Sequence, residues 1–407
     1  MTTQSDQLSQ PAAAPEPSPV EKFHVGQVAT ISSTHFLHDV YSAFLAQLLP
    51  QLIEKLSLTY TQAGSLNTFM QLPSLLNPLI GYLDDKINLR LLVIFAPAVT
   101  ATTMSCLGLA PNYASLALLL LITGLSVAAF HAPSPAMVTS VSGKQTGTGM
   151  SFYMASGELA RTVGPLLAAW GVTMFTIQGM WRLAILGWLA SIIMYGRFRK
   201  LTLRVQKQSG FRQMFPAATH LFIPLLLITL ARSFLVTGLG IYLPTLLQGE
   251  GASIWASSRA LAIYQLAGVV GALVGGTLSD RLGRKTVLFI ASLVSPFLAW
   301  GFLHTSAWLQ MGFLVLTGLL SLSAQPVMLA LVQDHLPNHR SVANGFYMAF
   351  SFVFQSLASL LIGVMSDRTD LRTAFYAVIL VSLAAAPIIF FLPRLKKEPT
   401  LDKTASL

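Results

Sequence analysis

The chain has 407 residues, of which 54% are apolar and only 10% are charged, against about 25% charged residues in an average soluble domain. Such a chain cannot cover its surface with water-compatible side chains, so its composition excludes a soluble protein and predicts one embedded in a lipid bilayer. A net charge of +10 would suggest a nucleic-acid partner for a soluble protein, but here the basic residues follow membrane topology, and we expect no such partner.

The chain begins with 22 residues rich in Pro, Ala, Ser and Gln, which lack the basic start and apolar core of a cleavable signal peptide. We therefore predict a disordered cytoplasmic tail over residues 1–22. Beyond it, continuous apolar runs of about 20 residues recur, the length that crosses a bilayer as a helix rather than as a barrel strand. The twelve predicted spans are residues 26–53, 60–83, 90–110, 113–140, 147–172, 180–198, 217–247, 256–279, 286–304, 307–332, 342–366 and 372–393.

The longest charged interruption, residues 197–212, separates six predicted spans from the next six. We accordingly predict an all-α membrane protein with the following division: an N-terminal bundle over 23–199, a cytoplasmic linker over 200–214, a C-terminal bundle over 215–394 and a cytoplasmic tail over 395–407.

The distribution of basic residues predicts the orientation. If both termini are cytoplasmic, 18 of the 25 basic residues lie on the inner side, as the positive-inside rule requires. The expected location is the plasma (inner) membrane. The single cysteine, Cys106, lies in a predicted span, so neither a disulfide framework nor a thiolate metal cluster is expected.

Two sequence repeats indicate that the halves are duplicated. The segment Gly81-Tyr-Leu-Asp-Asp85-Lys86 recurs as Gly276-Thr-Leu-Ser-Asp280-Arg281 at an offset of 195, and Phe152-Tyr-Met-Ala recurs as Phe346-Tyr-Met-Ala at an offset of 194. Parallel repeats of six spans, related by an axis along the membrane normal, are one of the arrangements that build secondary transporters.

The loop between spans eight and nine resembles the signature G-x-L-x-D-[RK]-x-G-[RK]-[RK] of the major facilitator superfamily. The second copy matches it fully through Gly283, Arg284 and Lys285, whereas the first copy has Asn88 and Leu89 at two of its positions. The resemblance implies two pseudo-symmetric bundles of six helices, with a latch between them formed by Gly81, Asp85, Lys86, Gly276, Asp280, Arg281 and Arg284. The alternative is that these are ordinary charges of inner loops.

Further motifs resemble the fosmidomycin-resistance branch of drug/proton antiporters. They are Thr34-His35-Phe-Leu-His38-Asp39, Phe69-Met-Gln71-Leu72, Pro78-Leu-Ile-Gly81-Tyr82, Phe130-His131 and Gly164-Pro165-Leu-Leu-Ala-Ala169. The sequence departs from that pattern at His38, at Ala132-Pro133 and at the charged pair Glu158 and Arg161. Gly157, Gly164 and Pro165 of span five are predicted to allow close helix packing.

Ionisable side chains in the middle of a membrane are costly, so they mark candidate functional sites. His35 and Asp39 are four residues apart and share a helix face, with His38 beside them. We predict that these three groups and Glu158 carry a coupling proton. Two alternatives stay open for the cluster on span one: a purely structural hydrogen-bonded cluster, or a metal site formed by the two histidines and the aspartate. No further ligand spacing supports a metal, and neither a metal nor a cofactor is predicted.

The predicted substrate-binding residues are Arg161, Arg232, His131, Gln71 and Tyr153. Arginine stays charged and can hold a carboxylate, phosphate or phosphonate. Glu158 and Arg161 form either a static pair or a switch in which the carboxylate exchanges the guanidinium for a proton. Arg232 either binds substrate or pairs with a carboxylate of the first half.

The sequence therefore predicts a secondary active transporter that exports small organic molecules or drugs by proton antiport and alternating access. The nearest alternative is a proton-coupled symporter that imports a small organic anion. A membrane-embedded enzyme is a second alternative, but the chain lacks a recognisable set of catalytic nucleophiles, so we predict no enzyme activity. A third alternative is a non-transporting receptor, which would need none of the charged groups. The expected partners are a small-molecule substrate, protons and the lipid bilayer, with the chain acting as a monomer.

Overall fold

The computed structural model describes residues 22–84, 87, 89–201, 215–336 and 340–393. These residues are helical almost throughout, as predicted. The α-helices are α1 Val25–Ser42, α2 Phe44–Leu56, α3 Tyr60–Gln71, α4 Asn77–Asp84, α5 Arg90–Ser105, α6 Tyr113–His131, α7 Ser134–Val141, α8 Thr146–Gly179, α9 Ala184–Phe198, α10 Phe215–Thr237, α11 Leu243–Gly249, α12 Ile254–Leu282, α13 Arg284–His304, α14 Ala307–His335, α15 Arg340–Arg368, α16 Leu371–Leu383 and α17 Ala385–Ile388.

Several predicted spans are built from two helices joined by a short irregular turn. The first span breaks at Ala43, between α1 and α2. The second contains a 3₁₀ segment, Leu72–Leu76, whose Pro73 cannot donate a helical hydrogen bond. A π-helical turn, Gly238–Tyr242, joins α10 to α11 at the glycine-rich run.

Within the described part of the chain, nine helical segments are long and apolar enough to cross a membrane. One of them, Gly143–Phe198, has 56 residues, which at about 1.5 Å per residue is more than twice the thickness of a bilayer core. It is interrupted at Thr176, where φ is 62°, which is consistent with the two spans predicted here. The full count of twelve and the pseudo-symmetry stay predictions.

The sequence signature between α12 and α13 folds into a tight turn within the second half. Gly283 has φ of 90°, a conformation that side-chain-bearing residues rarely adopt. Arg284 pairs with Asp280 (Nη1 to Oδ1, 2.5 Å) and with Asp334 at the end of α14 (Nε to Oδ2, 3.1 Å). These contacts join helices of one half.

The predicted latch between the halves stays untested. Arg281 is exposed, and Gly81 and Gly276 lie in α4 and α12. Asp85 and Lys86 lie outside the described residues.

The two halves meet along α3 and α15, at an end of the bundle that we call the closed end and define by Tyr60, Thr61 and Asp367. The Asp367 carboxylate accepts hydrogen bonds from the backbone N–H groups of Tyr60 (2.6 Å) and Thr61 (2.8 Å). A carboxylate there also complements the positive N-terminal end of α3. Further along, the Ser359 hydroxyl donates to the carbonyl of Gly64 (3.1 Å).

Apolar packing divides the molecule differently at its two ends. One buried cluster takes residues from both halves, Leu48 and Tyr242 among them. A second cluster, around Phe130, lies in the first half alone, and a third, around Val332, lies in the second half alone. The halves therefore share a core at the closed end and have separate cores at the other end.

Close approach of α3 and α15 generates a prediction at Gly64. A Cβ at this position would lie 2.4 Å from the carbonyl oxygen of Ser359, so Gly64→Ala should force the halves apart and destabilise the protein by about 1–3 kcal/mol. The measurement is thermal unfolding of the purified protein in detergent.

The matched control is Gly312→Ala in α14, where a Cβ would meet nothing within 4 Å. Alanine is favoured over glycine in a helix interior, so this variant should be neutral or slightly stabilised. Equal unfolding temperatures for the two variants would contradict the packing described here.

Candidate functional site

The most concentrated group of ionisable side chains surrounds Asp39 on α1. Its Oδ1 lies 3.0 Å from His38 Nδ1 and 3.1 Å from His131 Nε2, and its Oδ2 lies 3.2 Å from His35 Nε2. The i, i+4 spacing puts His35 and Asp39 on one face of α1, while His131 comes from the end of α6. Three imidazoles therefore surround one carboxylate, and we call these four residues the Asp39 cluster.

The cluster is buried except on one side. The side chains of His35, His38 and Asp39 are 5%, 0% and 11% exposed, whereas that of His131 is 33% exposed. His131 is thus the most exposed member of the cluster, and Asp39 itself keeps a small exposed fraction.

A second layer of contacts holds the imidazole rings in place. The Nδ1 of His35 lies 2.8 Å from the carbonyl oxygen of Tyr153, and the Tyr153 ring stacks on the His35 ring at 3.9 Å between centroids. The ring of Phe130 stacks on His38 at 4.3 Å. On its far side, His38 Nε2 lies 3.1 Å from the hydroxyl of Thr100 on α5.

Helix α8 passes close to the cluster because it carries small residues where it crosses α1. A Cβ at Gly157 would lie 2.5 Å from His35 Cε1, and one at Gly164 would lie 2.7 Å from the carbonyl oxygen of Val40. The carbonyl of the next residue, Pro165, accepts a hydrogen bond from Ser258 of α12 (2.6 Å). This stretch of α8 thus contacts both the cluster and the second half.

Glu158 and Arg161 lie on α8, next to Gly157, and both are accessible. Their side chains are 41% and 56% exposed, and the closest approach between them, Nη1 to Oε2, is 3.9 Å. Exposed charges in the middle of a membrane helix must face water rather than lipid. We therefore expect the pair to face water, and its closest approach of 3.9 Å is a loose contact.

Arg232 lies in a different environment, inside the second half. It is only 6% exposed, and its guanidinium donates to the Ser292 hydroxyl (3.0 Å) and to the carbonyl of Ser321. Among the described residues no carboxylate lies within 4 Å of it, so the predicted pairing with a first-half carboxylate is not seen. A cavity of about 10 Å³ beside it, which Ser295 and Ser382 also line, has room for about one water molecule.

The remaining predicted binding residues differ in their burial and in their contacts. Gln71 is half-buried at the end of α3. Tyr153 is buried, and its hydroxyl lies 2.5 Å from that of Ser134. Sequence reasoning missed Thr100, Ser126 and Ser292, because serines and threonines are common in membrane helices and carry no distinguishing pattern.

A metal ion is the other ligand that the cluster's chemistry could suit. One ligand atom from each of His35, Asp39 and His131 lies within 4.8 Å of the others. The two nitrogens lie 3.2 and 3.1 Å from the carboxylate oxygens, distances that suit a shared proton as well as an ion. The absence of a metal stays a prediction.

Comparison with known proteins places these features in a family. The family model described as Major Facilitator Superfamily matches residues 31–261 and 225–406. The fosmidomycin resistance protein of Escherichia coli (strain K12) is 25% identical over 365 residues, which cover 86% of this chain and 88% of the relative. An uncharacterised MFS-type transporter of Bacillus subtilis (strain 168), YfnC, is 24% identical with the same coverage.

Solved structures show the same fold. A bacterial homologue of the human lysosomal transporter Spinster matches with a TM-score of 0.80 at 15% identity, covering 92% of this chain and 97% of the other. The nucleoside transporter NupG matches with a TM-score of 0.69 at 15% identity, covering 90% and 98%. The resemblance predicted from the loop signature and the span motifs is thereby confirmed.

The two arginines predicted to bind substrate should respond differently to substitution. Arg232→Lys keeps the charge but loses the forked pair of hydrogen bonds, so it should destabilise the protein by about 2 kcal/mol or more, since a hydrogen bond to a charged group contributes about 1.5–3 kcal/mol. The control, Arg161→Lys, changes an exposed and loosely paired side chain and should cost much less. Thermal unfolding measures both, and equal losses would contradict the environments described above.

Proposed function

Since the chain belongs to the major facilitator superfamily, we propose that it is a proton-coupled secondary transporter that exports small organic molecules by alternating access. The observation that carries this proposal is the Asp39 cluster, a largely buried carboxylate with three imidazoles within 3.2 Å, of which His131 is the most exposed. Imidazole and carboxylate together can gain and lose a proton near neutral pH. Homologues and fold are those of transporters rather than enzymes.

Coupling between proton and substrate would arise on α8. Gly157 is in contact with the cluster, and Glu158 and Arg161 follow it on the face exposed to the opening. When Glu158 takes up a proton, Arg161 is released to hold an anionic group of the substrate. Proton and substrate would then favour each other's binding, which is the linkage that the symport alternative requires. Exchange requires the opposite sign, which arises at the same pair if a group of the substrate and the proton compete for the Glu158 carboxylate.

Alternation would occur by rocking of the two halves. Contacts of α3 with α15 and of α8 with α12 hold one end together, while the opposite ends have separate cores. We assign the open end to the cytoplasm, with both termini on that side of the inner membrane. The loops at Asp85-Lys86 and Asp280-Arg281 would latch the halves when the opening closes, and the chain would act as a monomer.

Export is favoured over import by the relative from Escherichia coli, whose name describes resistance to fosmidomycin. The same geometry would also serve a symporter for a small organic anion. Inverted and right-side-out vesicles with an imposed proton gradient separate the two, because an antiporter accumulates substrate in the compartment that is acidic and a symporter in the one that is alkaline. A panel with fosmidomycin and a cationic dye distinguishes anionic from cationic substrates.

Removal of the proton-binding carboxylate should uncouple transport. Asp39→Asn keeps the size of the side chain, and we expect gradient-driven accumulation in proteoliposomes to fall by about tenfold or more, equivalent to about 1.4 kcal/mol of lost coupling. Substrate exchange without a gradient should persist, because the two halves can still rock.

The control is Glu54→Gln, which removes an exposed carboxylate of α2 in the same half and should accumulate substrate like the unaltered protein. Undiminished gradient-driven accumulation by Asp39→Asn would refute the proposed coupling site.

A further inference from the structure

A chain of hydroxyl groups connects His38 to the backbone of α5. The Ser126 hydroxyl donates to the carbonyl of Ala96 (3.0 Å), and the Thr100 hydroxyl donates to Ser126 Oγ (2.8 Å). A carbonyl oxygen can only accept, and each hydroxyl has one proton to give. The direction of the whole chain is therefore set by Ala96, and Thr100 has no proton left for His38.

The tautomer of His38 follows from this direction. Its Nε2 lies 3.1 Å from Thr100 Oγ1, which can only accept there, so Nε2 carries a hydrogen. A neutral imidazole has one N–H, which leaves Nδ1 as a bare lone pair. That Nδ1 lies 3.0 Å from Asp39 Oδ1. If Asp39 is ionised and His38 neutral, two acceptors face each other across 3.0 Å.

We propose that Thr100 and Ser126 are positioning residues that hold His38 as its Nε2–H tautomer, so that His38 and Asp39 share one tightly held proton. The proton bridges His38 Nδ1 and Asp39 Oδ1, either as imidazolium with carboxylate or as imidazole with carboxylic acid. This inference rests on the proposed function, and it adds a structural reason why the cluster binds the coupling proton tightly. Release then requires α1 to move relative to α5 or α6, so that His38 can exchange tautomers.

The other groups facing Asp39 act in both directions. His35 donates from Nδ1 to the Tyr153 carbonyl, so its Nε2, 3.2 Å from Asp39 Oδ2, is also bare when neutral and reinforces the arrangement. His131 Nε2 lies 3.1 Å from Asp39 Oδ1, and in its Nε2–H tautomer it donates to the carboxylate and partly offsets the arrangement. From α8 come Glu158 and Arg161, which form a pair with each other, and within the described residues α5 brings only the Thr100 hydroxyl to the cluster.

The first test reads the tautomer directly. In the full-length protein in lipid nanodiscs with ¹⁵N-labelled histidines, His38 is assigned from the signal lost in His38→Gln. At high pH it should be the Nε2–H tautomer in the unaltered protein and should convert to Nδ1–H in Thr100→Val. Ser126→Ala should have the same effect, because Thr100 is then free to donate to His38. An Nδ1–H signal in the unaltered protein would overturn the inference.

The second test measures proton release from the same preparations with a pH-indicator dye. Conversion to Nδ1–H lets His38 donate to ionised Asp39, which stabilises the deprotonated pair. The pH midpoint of release should therefore fall by about one unit in Thr100→Val and Ser126→Ala, a shift of about 1.4 kcal/mol. Thr100→Ser keeps the hydroxyl and should release the proton at the pH midpoint of the unaltered protein.

The matched control is Thr103→Val, one turn along α5, whose hydroxyl pairs with that of Thr123 and not with the cluster. It should release protons at the original midpoint. Asp39→Asn distinguishes a failure of the proposed coupling site from a failure of the tautomer inference. If it still releases the proton, the proposed coupling site fails; if it does not, while Thr100→Val keeps the original midpoint, only the tautomer inference is overturned.

Discussion

The structure depends on one buried carboxylate. A charge in the middle of a membrane protein is costly unless partners compensate for it, and within the described residues the basic groups within 4 Å of Asp39 are imidazoles. Imidazoles can lose their charge at physiological pH, so the compensation is conditional. Gly157 brings α8 against this group, and Thr100 orients the ring of His38. These features support the proposal that the cluster is a reversible proton site rather than a static ion pair.

The duplication predicted from the sequence would give Arg232 a counterpart. The sequence offset of 194 aligns it with His38, and the offset of 195 aligns Ser321 with Ser126. His38 reaches from α1 to Thr100 of α5, and Arg232 reaches from α10 to Ser292 of α13 and Ser321 of α14. On this alignment the same position holds a titratable group in one half and a permanent charge in the other, which is why the proposal assigns coupling to the first half.

The two interfaces of α8 suggest how the cluster can influence the rest of the molecule. Gly157 contacts His35, and two turns later the carbonyl of Pro165 accepts from Ser258 of the other half. The closed end is held by hydrogen bonds such as those from backbone N–H groups to Asp367. The cluster therefore lies one helix away from the interface between the halves.

What the sequence by itself determined was local or statistical: the apolar runs, the duplicated loop, and the i, i+4 relation of His35 and Asp39, all of which follow from hydropathy and helix periodicity. It also indicated that Glu158 and Arg161 are neighbours, because residues three apart in a helix lie on the same face. Only the tertiary structure decided that His131 touches Asp39 from 92 residues away, that the Thr100 and Ser126 hydroxyls form a hydrogen-bond chain ending at the Ala96 carbonyl, and that Arg232 donates to Ser292 and Ser321. These contacts join helices whose relative rotation depends on packing of the whole bundle, which no local pattern encodes.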